Sequence, residues 1–315
     1  MTTLRPHAGK TLRLQAPKLS DLDPAAVYVI SAAGTEARGR APLWEDCLRQ
    51  RAANCVEVVD SSWTTASFRH DTDSPVEVAL NDEVALSGIF GDYPAAYVDV
   101  SGMSHHVWAS LIRAGFSALD TLYVVYTEPS AYKKHPNPTL KTEFDLSEGF
   151  RGIQPLPGLA KLRGPADEEE AVLVTLLGFE GRRARHVALA LDPVPKVFAV
   201  IGVPGFRVEY PQITHASSEE FLSEYRAHAN IRYAAASCPF GAFDVLAEIQ
   251  HDCGGRYMYI APVGTKPHAL GAICYALKHR DKTEIMYDNP IRKAGRTAGI
   301  GTMHIYTLKP SHVAP

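Results

Sequence analysis

The feature that most constrains this chain is a recurring unit. A short unbroken run of Val, Ile and Tyr leads into a turn of small residues and then an aliphatic pattern at helical spacing. "YMYIAPVGTKPHALGAICYAL" at 257–277 is one copy, and "YVDVSGMSHHVWASLIRA" at 97–114 is another. Each is followed by a further apolar run that ends in Tyr-x-x-Pro, at Tyr126 and Pro129 in the first copy and at Tyr287 and Pro290 in the second. An upstream pair shows the same order. "VYVISAAGTEARGRA" at 27–41 and "VLVTLLGFEGRRARH" at 172–186 both close on Gly-x-Glu-x-Arg: Gly34, Glu36 and Arg38, then Gly178, Glu180 and Arg182. Such units also recur in any α/β protein. Three pairs in one order favour a duplicated chain.

Unbroken β-branched runs suit parallel strands covered on both faces, whereas one-sided strands alternate. Residues 27–31, 56–60, 97–100 and 122–126 read as strands of a first half, and 171–177, 197–202, 257–261 and 283–287 as strands of a second. The expected fold is α/β: two tandem, pseudo-duplicated Rossmann-like units with mostly parallel sheets, in residues 1–150 and 151–315. "SHHVWASLIRAGF" and "SSEEFLSEYRAHANI" read as helices between strands, the latter capped by Ser217 or Ser218 with acids in its first turn. Residues 133–165, rich in proline and glycine, read as the crossover between halves. Residues 69–92 read as a loop or hairpin insertion. Residues 301–308 read as an antiparallel edge strand, and the acids at 167–170 as a solvated lead-in to a strand.

Composition excludes several classes. With 46% apolar and 21% charged residues the chain is expected to be globular. A formal net charge of −3 gives no global field for nucleic acid, so sequence-specific DNA binding is not expected. Five scattered cysteines, Cys47, Cys55, Cys238, Cys253 and Cys274, read as reduced thiols of a cytoplasmic protein. The first residues lack the apolar core of a signal peptide, and no run reaches the length of a membrane span.

In open α/β sheets, ligands sit beyond the carboxyl ends of the strands. That singles out Gly264-Thr265-Lys266, where backbone N–H groups, a hydroxyl and an ammonium can hold a phosphate; the bland alternative is a plain turn. The matching turn of the first half holds Ser101, Gly102, Met103 and Ser104, without a lysine. Arg182, Arg183 and Arg185, followed by His186, form either a phosphate fork or a solvated helix start. Glu36 and Glu180 can cap helices, bond a ribose or pair with the arginines. Of the adjacent His105 and His106, one is expected buried and the other exposed. The spacing of Cys238, His251 and Cys253 fits no standard zinc module, and neither a metal site nor a cofactor is expected. Neither Gly-x-Ser-x-Gly nor Gly-x-Gly-x-x-Gly occurs, which counts against Ser101 as a hydrolase nucleophile and against an ordinary dinucleotide dehydrogenase.

The strand followed by "PVGTKPHALGAICYAL" resembles the Gly-Thr-Lys-Pro turn and small-residue helix of CARF domains, Rossmann-like sensors associated with CRISPR systems. Two such units in one chain resemble the SAVED domains of bacterial anti-phage systems. The resemblance is specific over residues 257–290 and architectural elsewhere. It implies a sensor of cyclic or linear oligonucleotide messengers, with Gly264, Thr265 and Lys266, and by position Ser101 and Gly102, at the ligand. No nuclease, protease or helix-turn-helix segment is evident, so output is expected through a partner effector subunit. Two other readings remain. One is an enzyme cleaving a phosphodiester or N-glycosidic bond of a nucleotide, with Lys266 and Arg182 stabilising charge, though no general base stands out. The other is a scaffold subunit that binds no ligand.

Overall fold

A computed structural model of the chain describes residues 11–32, 36–160 and 171–309. The chain is α/β with mixed, mainly parallel sheets. It divides into two compact units, residues 11–132 with 297–309, and residues 133–296. The sequence reading places a single boundary after residue 150; between these compact units the chain crosses after residue 132 and again after residue 296, where the C-terminal strand returns to pair with a strand of the first sheet.

The first unit contains β1 (Thr11–Leu14), β2 (Val27–Ser31), α1 (Pro42–Gln50), β3 (Cys55–Ser61), β4 (Thr65–His70), β5 (Val76–Ala79), α2 (Glu83–Gly88), β6 (Ala95–Asp99), α3 (His105–Ala118), β7 (Thr121–Thr127) and β8 (Ala131–Tyr132). Its sheet runs β5-β4-β3-β2-β6-β7, then the C-terminal strand, then β1. The four strands β3-β2-β6-β7 are parallel. Every residue of β2 and β6 is buried, as the unbroken apolar runs require of strands covered on both faces. At the other end, β3 shifts register between Val58 and Asp60 and pairs antiparallel with β4. The segment expected as a loop or hairpin thus supplies the end of β4, the second strand of the β4–β5 hairpin and α2. The core gathers Tyr28, Ile30, Trp44, Tyr97 and Val125. Inside it the Trp44 indole donates to Asp99 at 2.6 Å.

The second unit contains β9 (Ser147–Phe150), β10 (Gln154–Pro155), β11 (Val172–Leu176), α4 (Gly181–Ala188), β12 (Lys196–Gly202), α5 (Tyr210–Ser217), α6 (Glu219–Glu224), β13 (Ile231–Ala234), α7 (Pro239–Asp252), β14 (Met258–Pro262), α8 (Lys266–Lys278), β15 (Thr283–Tyr287) and β16 (Pro290–Arg292). Its sheet runs β13-β12-β11-β14-β15, all parallel, with β10 antiparallel beside β15. Numbered along the chain, the parallel strands stand in the order 3-2-1-4-5, which reverses direction between β11 and β14. The core packs Leu173, Ala199 and Tyr259 against Ala184, Val187 and Phe221.

One short strand and a longer one complete the list. β16 pairs with β9 in the second unit. In the first, β17 (Thr297–Ala298) pairs with β8, and β18 (Met303–Leu308) pairs antiparallel with β7. The tail is therefore a strand of the expected direction, but not an edge: β1 pairs with its other side. The helix expected at 217–231 is also corrected. α5 ends at Ser217, α6 spans six residues, and Arg226 at φ 51° turns the chain toward β13. Ser218 is the N-cap residue of α6, yet its hydroxyl makes no capping bond. The acidic run 167–170 lies outside the described residues.

Candidate functional site

In the second unit, β11 delivers the chain at Leu176 into a turn that starts α4 at Gly181. Glycine is required there. A Cβ on Gly181 would lie 2.1 Å from the Ser217 carbonyl oxygen, so the end of α5 packs directly on the start of α4. Beside this contact opens a cavity of about 300 Å³. Phe144 and Phe179 line it with aromatic residues, Lys141, Arg182 and Arg185 with cationic groups, and Asp145, Glu180 and Glu220 with carboxylates. Phe144 and Phe179 pack at 4.5 Å between centroids, with Tyr210 edge-on to Phe179 at 4.9 Å.

The cations are held rather than loose. Arg182 donates to the Ser147 carbonyl at 2.7 Å and to Glu180 at 3.0 Å, and its guanidinium stands 5.6 Å from the Phe150 ring centre. Its side chain remains 55% exposed, so part of its donor fork still faces solvent. Arg185, one turn on, pairs with Glu224 at 2.6 Å. Lys141 approaches Glu220 at 3.9 Å. Asp145 also lines the cavity, and a hydrogen bond from Lys293 holds its carboxyl below the ordinary carboxylate range. Glu180 is occupied: it accepts from the Ser147 N–H at 3.1 Å and the Ser147 hydroxyl at 2.7 Å. Arg183 turns away from its neighbours. It forks onto the fully buried Asp288 with two bonds of 2.7 Å and donates to the Val263 carbonyl at 2.9 Å. Burial alone would lower the pKa of Arg183, but the Asp288 carboxylate more than offsets it and the guanidinium stays charged.

The Gly264-Thr265-Lys266 turn follows β14 at the point where the strand order reverses. A Cβ on Gly264 would lie 2.3 Å from the Leu177 carbonyl oxygen, and one on Gly178 would lie 2.9 Å from the Cα of Gly264. The two turns thus touch backbone to backbone. Thr265 is the N-cap of α8, accepting from the His268 N–H at 3.3 Å and donating to the Ala236 carbonyl at 2.9 Å. Lys266 is buried at the first position of α8 and is not among the residues lining the cavity. His268 is fully buried, its Nε2 donating to the Ala235 carbonyl at 3.0 Å, and burial pushes its pKa down to about 4.

In the first unit, the turn after β6 approaches Gly39: a Cβ there would lie 2.9 Å from the Cα of Gly102. Ser101 is fully buried. Its hydroxyl accepts from the Thr127 N–H at 2.8 Å, and its own N–H donates to Asp99 at 2.8 Å. Arg38 is buried, donating to Glu36 at 2.6 Å and to the Thr127 carbonyl at 2.9 Å, with Tyr126 under its guanidinium at 5.3 Å. Burial would lower its pKa, but Tyr126 and Glu36 raise it above the usual value. Gly34 lies outside the described residues. His105 and His106 are both buried, against the expectation of one exposed, because Trp108 and Trp63 pack on their rings at 5.1 and 4.9 Å.

All five cysteines are free, and Cys238 caps α7 by accepting from the Gly241 N–H at 3.3 Å. A different group converges where sequence reading saw nothing: ligand atoms of His215, Glu219 and His228 all lie within 4.8 Å of one another. The signal for two of them was present, as His-x-x-x-Glu at one-turn spacing. No described helix is long and apolar enough to cross a membrane. The chain matches no protein-family model and no curated protein.

Proposed function

We propose that this protein is a sensor of a nucleotide second messenger, a cyclic or linear oligonucleotide, that serves a bacterial anti-phage defence system through a partner effector subunit. The observation that carries the reading is the cavity at the start of α4. It sets Phe144 and Phe179 beside Arg182, Arg185, Lys141 and a helix N-terminus. Rings suit the flat face of a base, while an arginine fork and helix N–H groups suit phosphate. The cavity lies in the size range of small-molecule sites. Its walls follow β11, one strand of the pair between which the order reverses, where open α/β sheets hold their ligands.

On this reading the chain is a tandem pair of Rossmann-like units. The segments paired in the sequence occupy like places: β2, β3, β6 and β7 stand as 2-1-3-4 in one sheet, and β11, β12, β14 and β15 hold the same relative order in the other. Each unit also brings the turn after its first central strand against the turn after its third through glycine backbones, Gly39 with Gly102 and Gly178 with Gly264. Each repeats a Glu–Arg pair two residues apart. Within the second unit the cavity favours Arg182 as the residue that meets ligand phosphate; the Gly264–Lys266 turn follows β14 at the switch point and is not among the lining residues.

The test is direct. The purified protein is titrated with mononucleotides and with linear and cyclic oligonucleotides by calorimetry, and bound and remaining species are identified by mass spectrometry. A retained, unaltered oligonucleotide is expected. Arg182→Ala should weaken its binding by about 1.5–3 kcal/mol, the scale of charge-assisted bonds, or roughly ten- to a hundredfold. Consumption of the ligand would make the protein an enzyme. Absence of binding across the panel, or unchanged binding by Arg182→Ala, would overturn the assignment.

A further inference from the structure

We propose that His215, Glu219 and His228 form a binding site for a divalent transition-metal ion of the zinc class. Two elements and a turn bring them together. His215 lies in the last turn of α5, Glu219 opens α6, and His228 begins a 3-10 turn, 228–230, that leads into β13. His215 Nδ1 stands 3.8 Å from one Glu219 oxygen, and His228 Nε2 stands 3.6 Å from the other. Ligand atoms about 2.0–2.2 Å from a tetrahedral zinc ion lie about 3.3–3.5 Å apart. The two His–Glu separations exceed that by a few tenths of an ångström, while the three ligand atoms as a set lie within 4.8 Å of one another, so closing on an ion takes rotation of these partly exposed side chains. The Ser223 hydroxyl donates to Glu219 at 3.3 Å and lies 3.2 Å from His228 Nε2, which holds the carboxylate beside that imidazole; an ion would replace the contact to Nε2.

Chemistry selects the ion. Two imidazoles and one carboxylate suit zinc and its first-row neighbours, whereas magnesium and calcium require oxygen ligands. Exposed His–Glu pairs gain little by themselves and cost side-chain freedom, so convergence of three such side chains has small value without an ion. Neutral imidazoles with a single carboxylate leave a bound dication with net positive charge. Three protein ligands leave a fourth position open to water or an anion. The site also has a structural consequence. Ala216, Ser217, Glu220 and Phe221, interleaved with the two helical ligands, line the cavity, so an ion here clamps that wall by joining α5 to α6 and to the 3-10 turn. This proposal stands on the cluster alone and is independent of what the cavity binds.

The experiment uses the full chain, stripped of metal with a chelator and titrated with Zn²⁺ by calorimetry, with elemental analysis after dialysis. One Zn²⁺ per chain is expected, accompanied by a rise in the thermal midpoint. His215→Ala and His228→Ala should each weaken binding roughly tenfold or more, since even partners behind a ligand are worth about that much. Glu219→Gln should do likewise. His251→Ala, an exposed histidine on α7, should bind as the parent does. Because the ligands are partly exposed, the metal-free variants should match the parent in far-ultraviolet circular dichroism. Magnesium at the same concentration should neither bind nor compete. Absence of Zn²⁺ binding, binding that survives both histidine substitutions, or equal competition by Mg²⁺ would overturn the proposal.

Discussion

Arg183→Met is the substitution whose cost the structure fixes most closely. Arg183 makes two bonds of 2.7 Å to Asp288 and one of 2.9 Å to the Val263 carbonyl, and the Asp288 side chain is 0% exposed. Methionine keeps much of the volume but leaves a carboxylate with no access to water. Breaking a buried pair from one side typically costs about 3–5 kcal/mol, most of it the penalty of the stranded charge. Bonds to charged groups at about 1.5–3 kcal/mol each reach the same range before any relaxation. Against a usual total of about 5–15 kcal/mol, this is a large loss. Pairing Arg183→Met with Asp288→Leu removes both charges, so the double variant should recover much of it, because an apolar pair of similar volume often matches a buried ion pair. The assay is urea unfolding followed by far-ultraviolet circular dichroism. Tryptophan fluorescence is the wrong probe, since Trp44, Trp63 and Trp108 all lie in the first unit while the substitution lies in the second. A cost below about 1 kcal/mol for the single variant, or a double variant as damaged as the two singles summed, would refute the reasoning.

Two further outcomes follow from packing and titration. Burial lowers the pKa of His268 from 6.5 to about 4, so the folded state binds its proton later than the unfolded chain does. Its contribution is complete above the unfolded value and is lost as the pH falls from there toward about 4, by about 3 kcal/mol in all at about 1.4 kcal/mol per unit. The stability of the parent relative to His268→Gln should therefore decline across that window, and a difference independent of pH would contradict the burial. Gly181→Ala places a Cβ 2.1 Å from the Ser217 carbonyl, so α4 and α5 must separate. A loss of about 1–3 kcal/mol is expected, despite the better helix propensity of alanine, and an unchanged melting temperature would contradict the close contact.

The parts of the fold that read clearly in the sequence are those whose signal is local. β2, β6, β11 and β14 are runs buried on both faces, so neighbouring residues alone mark them, and they fall within a residue or two of the expected spans. β13 escaped because it is a partly exposed edge strand, Ile231–Ala234, with Tyr233 on the surface. It also follows a helical pattern that Arg226 ends in a left-handed conformation more usual for glycine. The candidate site was legible only on one side. Arg182 was singled out and lines the cavity. The opposing residues, among them Lys141, Phe144 and Asp145, come from the stretch read as a crossover, because no pattern within it reports what it packs against. Arg182, Arg183 and Arg185 look alike in sequence. Their fates are set by Ser147, Asp288 and Glu224, which lie far along the chain.

The repeated Glu–Arg pair shows how one local arrangement can serve different ends. In the first unit Glu36 accepts from Arg38 and from the Thr297 hydroxyl at 3.1 Å, and the arginine is sealed beneath the surface, committed to the Thr127 carbonyl. A guanidinium buried in this way holds the end of β7 in place rather than facing solvent. In the second unit Glu180 accepts from Arg182 and from the Ser147 hydroxyl, the same donor types in the same relation, yet the arginine stays half exposed at the rim of a cavity. What differs is the third partner. The buried role passes one residue on, to Arg183 and its fork on Asp288, and this leaves the guanidinium of Arg182 facing solvent. The same Glu-x-Arg spacing therefore leaves its arginine in different places: Arg38 is buried in the first unit, while in the second Arg183 takes the buried position and Arg182 stays at the surface where an anion can reach it.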